Sequence, residues 1–313
     1  MMNSYNAPAY FNLPGLFEKY RIYDFLLEMI KKDPTILKDN VIIHSIYGCP
    51  HVIWNGGRGV SSRLMLDRQE LELVRNRVNR VGIAARFTFT NNSLVDTDIY
   101  DTYGNAILDI FGNGKNEVIV NSPILLKHIQ EKYPNKYGFV SSTTKRLINK
   151  DLETKELYDD TYRYVCLDYD FNKDLEYLDS LSDVSRVEIL ANPVCKSNCP
   201  WRVKHYTEIS KGEKFAKFDI TSPASNCEDQ GKWLEEAKQG QNFVTVEEIN
   251  DVYLPRGVNN FKLEGRSNSS LDLVDILLYY LIKEDKQYAV RKQIYLALFD
   301  RDMSFTAKSC SCQ

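Results

Sequence analysis

The stretch NPVCKSNCPWRVKHY, residues 192–206, sets Cys195 and Cys199 four apart and follows them with Arg202, Lys204 and His205. Thiols at i and i+4 can be presented to one centre by a single helical turn or a tight loop. Four chemistries are open to such a pair: inert core, half of a disulfide framework, structural zinc, or an iron–sulfur cluster. The cations that follow would oppose the negative charge of a thiolate-bound centre, or else form an ordinary solvated face. Of the remaining cysteines, Cys49 closes an apolar run and Cys227 lies in the polar stretch SPASNCEDQG. Cys166 sits inside RYVCLDY, where a small buried hydrophobe is the expected role, and Cys310 and Cys312 belong to the terminal KSCSCQ.

Other residue types capable of chemistry recur at the ends of apolar runs. LDYDFN places Asp168 and Asp170 at strand alternation, a pattern that can hold a divalent metal or share acid–base work. Glu188, in RVEIL, is a general-base candidate. In FKLEGR, Lys262, Glu264 and Arg266 alternate onto one face; Lys262 and Glu264 are expected to pair, leaving Arg266 to take an anion or carboxylate in a two-point grip. The glycine-rich WNGGRG lacks the phosphate-loop ending and reads as a loop over a site that His51 could reach. No Ser/His/Asp arrangement can be inferred from the four histidines. CKSNC is not followed by the third cysteine of a radical-SAM triad, since position 202 is Arg.

The elements that must position these residues alternate along the chain. Strand-like runs are NVIIHSIYG, IAARFTFTNN, NEVIVNSP, YGFVSSTTKR, RYVCLDYDF, RVEILANPVC, FVTVEEI and NNFKLEGR, separated by helical stretches or room for them. DRQELELVRNRVNRVG is a representative helix, with an acidic start, Leu71, Val74, Val78 and Val81 at helical spacing, and a terminal glycine. Eight strand–helix units predict a (β/α)8 TIM-like barrel, with a doubly wound open sheet as the competing layout. No Pro/Gly/Ser-rich linker divides the chain. The simplest partition is one domain: an N-terminal helical extension over 1–39, a barrel over 40–285, and a C-terminal helix and tail over 286–313. Active sites in this fold lie at the C-terminal ends of the strands. Asn91 and Asn192, with Glu264, Arg266, Arg202 and His205, are therefore expected to bind substrate there, and Glu188, Asp168 and Lys262 to take catalytic roles.

Forty basic against 43 acidic residues, a net charge of −3, exclude the electropositive footprint that duplex nucleic acid or an anionic membrane requires. The start carries no secretory-signal pattern, and LDLVDILLYYLIKED is broken by Asp272 and Asp275 and too short to cross a bilayer. A cytoplasmic location is expected. Thiols stay reduced in that compartment, so seven cysteines do not suggest a disulfide scaffold.

VEILANPVCKSNCPWRVKHY and NNFKLEGRS, with GIAARFTFTNNSL, EVIVNSPILLKHIQEKYP and GFVSSTTKRL in order between residues 41 and 281, resemble the collagenase-like peptidase superfamily, family U32. The resemblance implies a TIM-like barrel and either peptidase activity or assistance in oxygen-independent hydroxylation. It also implies a 4Fe-4S cluster with Cys195 and Cys199 as ligands and Cys49, near the first strand, as a further one; Cys227, in the polar loop after the pair, completes the best set of four thiolates, which zinc would suit equally well. The function expected from it is an iron–sulfur barrel protein acting on a small molecule, nucleoside or peptide at the barrel mouth. The competing readings are a peptidase, and a non-catalytic barrel that hands substrate or electrons to a protein redox partner.

Overall fold

A computed structural model of the protein describes residues 7–56, 65–147, 149–215 and 234–309, the side chains of 300–309 excepted. Eight parallel strands follow one another around a closed barrel: β1 (Ala9–Pro14), β2 (Val41–Gly48), β3 (Ala84–Phe89), β4 (Glu117–Val120), β5 (Gly138–Ser141), β6 (Tyr164–Cys166), β7 (Val187–Leu190) and β8 (Asn260–Lys262). The ring closes where Tyr10, Phe11 and Asn12 register against Asn260, Phe261 and Lys262. A helix follows each strand: α1 (Tyr20–Lys32), α2 (Arg68–Arg80), α3 (Thr102–Phe111), α4 (Pro123–Lys132), α5 (Lys150–Leu157), α6 (Leu175–Ser180), α7 (Arg202–Phe215), and after β8 the helix Ser270–Leu281. The expected (β/α)8 barrel is the observed fold. A last helix, Glu284–Ser309, packs beside α1 and the helix before it.

Two of the expected elements are corrected. The segment 1–39 is more than a helical extension, because AYFNLP within it is the first barrel strand. Phe11 and Leu13 bury outward against the helices while Asn12 faces the barrel interior, and Pro14 sits at the strand's end, where its missing N–H costs no ladder bond. Conversely, FVTVEEI is not a strand. Thr245 Oγ1 accepts from Glu248 N at 3.1 Å and Glu248 Oε2 accepts from Thr245 N at 2.8 Å, a reciprocal cap that starts a helical turn at Val246. The barrel has eight strands, the number expected, because AYFNLP supplies the strand that FVTVEEI does not.

Local chemistry explains why the helices begin where they do. Asp67 and Glu70 exchange cap hydrogen bonds of 2.9 and 2.8 Å at the start of α2, whose Leu71, Val74 and Val78 are buried as expected; Val81, beyond the helix, is exposed. The outward-facing strand residues, among them Phe11, Phe87, Phe89, Phe261 and Leu263, form the main core with the helices. Burying each such side chain contributes roughly 1.5–3 kcal/mol.

Inside, the barrel is polar where this fold is usually filled by Val, Ile and Leu. Arg86 on β3, fully buried, donates from Nε to Glu117 Oε2 at 2.7 Å and also bonds Glu188 on β7. Asn12 Nδ2 donates to the same Glu188 oxygen at 2.8 Å, and Ser45 Oγ donates to Asn12 Oδ1 at 2.6 Å. Pairing between β1 and β2 skips one residue, Phe11 facing Ile43 and Asn12 facing Ser45, so His44 is the extra residue of a bulge. Its Nε2 lies 3.2 Å from Glu117 Oε1, which also accepts from Arg163 Nη1 at 3.0 Å. Burial disfavours the Glu117 carboxylate, but Arg86 first, then His44 and Arg163, more than offset it and hold the group well below the usual carboxyl range.

Candidate functional site at the barrel mouth

Above this polar belt the strand ends enclose a cavity of about 80 Å³ lined by Tyr47, Thr88, Ser142, Thr144, Tyr169 and Lys262, with Arg266 beside them. β8 delivers the lysine: Phe261 and Leu263 point out to the core, which leaves Lys262 pointing in. Only 7% of Lys262 is exposed, and its Nζ stands 4.7 Å from the centre of the Tyr47 ring. Tyr47 is held in place by donating its hydroxyl to Leu263 O at 2.5 Å. Among the described residues Nζ has no hydrogen-bond or ion-pair partner; the Tyr47 ring is its one direct contact of that kind.

The expected Lys262–Glu264 pair does not form. The β8 ladder ends at Lys262, and beyond it Glu264, which also lines the cavity, is bound at Oε2 by Val194 N at 3.1 Å. Asn192, expected to bind substrate, clamps the same turn, donating to Glu264 O at 3.0 Å and accepting from Glu264 N at 2.7 Å. Gly265 then reverses the chain with φ of +156°; a Cβ there would meet Leu273 Cδ1 at 3.1 Å. That reversal returns Arg266 to the mouth, where its Nη1 donates to Thr88 Oγ1 at 2.6 Å and lies 3.8 Å from Glu18 Oε1.

Glu18, on the turn after β1, and Glu213, on α7, flank Arg266, and sequence reading missed both. Burial raises the Glu18 carboxyl against the pull of Arg266, and pushes Glu213 up to about 7 against the same pull. His51 Nδ1 comes within 3.9 Å of Glu213 Oε2, so this histidine does reach the mouth region. Once AYFNLP is read as a strand, Glu18 is legible, because the loop after a barrel strand must lie at the mouth. The described part of WNGGRG is packed rather than draped over the opening. Trp54 is fully buried and donates from Nε1 to Asp98 O at 2.7 Å, and a Cβ on Gly56 would sit 2.4 Å from the Asn91 backbone. Residues 57–59 lie outside the described residues.

Several expected site residues are committed elsewhere. Glu188, the general-base candidate, lies below the cavity, bound by Arg86 and Asn12 and fully buried. Asn91 donates to Ile53 O at 2.7 Å and Ser210 O at 2.9 Å while accepting from Ser93 N at 2.8 Å, so it ties α7 to the loop after β2. Asp168 and Asp170 do not share a strand face, because β6 ends at Cys166 and residues 169–171 form a helical turn. Both aspartates pair with Arg146 and Arg202. Burial works against the charge on Asp170, but Arg202 and then Arg146 lower it below its ordinary range. Arg202 itself is buried with its guanidinium 4.0 Å above the Tyr169 ring, donating to Lys196 O at 2.7 Å. Its role is to hold the Cys195–Cys199 loop to the end of β6. His205 lies half-buried on α7.

The cysteines divide. Cys195 and Cys199 pack with Cys166, Tyr169 and Leu190 in one small buried cluster, whereas Cys49 belongs to the main core. Burial pushes the Cys49 thiol well up, with Arg266 opposing, and does the same to Cys166, with Lys262 opposing. Cys227, Cys310 and Cys312 lie outside the described residues. Among the described residues no three His, Cys, Asp or Glu side chains gather as a metal would require. Cys49 stands in a different cluster from Cys195 and Cys199, and Cys227, the fourth ligand expected, is not among the described residues.

No protein-family model matches the chain, and no curated protein matches it. Its fold is similar to a solved structure described as "The Structure of the U32 Peptidase Mk0906", with a TM-score of 0.52 and 11% sequence identity over 86% of this chain and 97% of that one. No described helix is long and apolar enough to cross a membrane.

Proposed function

We propose that the protein binds a small, carboxylate- or phosphate-bearing molecule in the barrel mouth and acts on it there as an enzyme. The observation that carries this reading is the Lys262 ammonium, nearly buried yet without an anionic partner among the described residues. A cation taken out of water is costly unless something compensates it, and a ligand's anionic group is the natural complement. Glu264 and Arg266 also line the cavity, and hydroxyls supply much of the remaining wall: Ser142 and Thr144 lie 2.8 Å apart, and Tyr169 and Tyr206 lie 3.2 Å apart. Such groups both donate and accept, so they can follow a ligand whose hydrogen-bonding pattern changes during a reaction.

A peptidase reading, which the similar structure's description brings to mind, is less well supported. The two cysteines whose thiols are displaced, Cys49 and Cys166, are pushed up, the opposite of what activates a thiolate nucleophile. Redox or hydroxylation chemistry on a cluster has Cys195 and Cys199 side by side in its favour, and nothing further among the described residues.

Calorimetric titration with inorganic phosphate, acetate and pyruvate tests the reading. At least one should bind the wild type, and Lys262→Met should weaken that binding about 10- to 100-fold, the worth of one charge-assisted hydrogen bond. Unchanged affinity in a folded Lys262→Met would contradict the proposal.

A further inference from the structure

We propose that Lys262 is a covalent centre: its amine condenses with the carbonyl of a small 2-oxo acid to form an imine. This deepens the reading of the mouth as an anion site and rests on it. Three features of the cavity bear on the chemistry. Nζ is held against the Tyr47 ring, at 4.7 Å, by no carboxylate that would have to be displaced before it could attack. Arg266, which donates to Thr88 and lies 3.8 Å from Glu18, lines the same cavity and adds a guanidinium that a carboxylate next to the carbonyl can also meet. The cavity, about 80 Å³ and open to solvent at the mouth, gives a small 2-oxo acid access to Nζ.

The step balances without an outside oxidant or reductant. The ammonium first gives one proton to solvent at the open mouth; the lone pair of the resulting amine forms a bond to the carbonyl carbon, the carbonyl π pair moves to oxygen, and one proton passes from nitrogen to that oxygen to give a carbinolamine. Loss of the hydroxyl with a second nitrogen proton releases water and leaves the C=N bond. The two wall pairs, Ser142 with Thr144 and Tyr169 with Tyr206, are hydroxyls already within reach of one another, suited to pass the proton that the departing hydroxyl needs. Cys166, on β6 and one strand removed from β8, keeps its proton because of its burial, with Lys262 opposing, and does not compete for the carbonyl.

Incubation with pyruvate and sodium cyanoborohydride, followed by peptide mass spectrometry, reads the imine as a reduced secondary amine. The expected result is one adduct, on the peptide containing Lys262, suppressed by excess acetate. Lys262→Arg keeps the charge and cannot form an imine, so it should retain pyruvate binding by calorimetry within about tenfold and lose the adduct. Pyruvate binding to wild type with no adduct at Lys262 overturns the covalent proposal and leaves the anion site standing. Failure of pyruvate, acetate and phosphate all to bind overturns both. Should Lys262→Arg not fold, protection of wild-type Lys262 by acetate decides: labelling that acetate leaves untouched is surface chemistry and counts against the site.

Discussion

Lys262 and Glu153 show how differently two buried ionisable groups settle their cost. Lys262 sets its Nζ against an aromatic face, a contact worth up to about 2 kcal/mol for a desolvated cation. Glu153, buried on α5, accepts one bond from Asp168 N at 3.0 Å and has its other oxygen unpartnered. Burial first, and then the Asp168 charge, push its carboxyl up to about 8. The sign follows from linkage. A raised folded pKa means that the native state prefers the proton, so stability is full below the ordinary value near 4.5 and falls as pH rises towards 8. Glu153→Gln removes that loss. Its melting temperature should lie close to wild type at about pH 5 and exceed it increasingly up to about pH 9, about 1.4 kcal/mol for each unit of displacement. A gap that does not change with pH would show that Glu153 is ionised in the native state at every pH tested.

At the level of elements, the loop carrying Cys195 and Cys199 is shaped by electrostatics that begin elsewhere in the chain. Asp168 and Asp170 come from the turn after β6 and Arg146 from the turn after β5; both aspartates bond Arg146 and Arg202, and Arg202 in turn grips Lys196 O. Removing Arg202 leaves two buried carboxylates sharing one guanidinium. Arg202→Ala should therefore lower stability by about 3 kcal/mol or more and speed tryptic cleavage after Lys196; a variant that resists trypsin like the wild type would contradict this. None of it was legible in CKSNCPWR, where spacing pointed to metal ligation, because the partners of Arg202 lie some thirty residues upstream. The same limit explains Glu264. Alternation in FKLEGR placed it beside Lys262 correctly for a strand, but the strand stops at Lys262 and the Val194 N–H captures the carboxylate. Helices with local caps were read well, since Asp67 and Glu70 define their element without help from the rest of the chain.

For the whole molecule, the alternation of strands and helices was enough to predict the barrel, because parallel neighbours joined by helices leave few alternatives. Its first strand escaped notice: six residues containing Asn12 and Pro14 look like a turn until β2 and β8 supply partners on both sides. With that strand missing, the interior belt could not be assembled either, since Asn12 links Glu188 to Ser45. Arg86 is the keystone of the belt, joining β3 to β4 and β7 through Glu117 and Glu188. Arg86→Met should cost about 3–5 kcal/mol by leaving two carboxylates buried without their cation, measured by urea unfolding. The loss should shrink below about pH 4 as Glu117, which Arg86 no longer holds down, takes up a proton. A pH-independent loss would point to packing instead.

The central claim is that the mouth presents an ammonium in want of an anion, and anomalous diffraction from crystals soaked in bromide tests it most directly. A bromide is expected in contact with Lys262 Nζ, between Tyr47 and the hydroxyl-bearing wall, and should disappear in Lys262→Met. A density map with no anion there and Lys262 Nζ paired to the Glu264 carboxylate would contradict it.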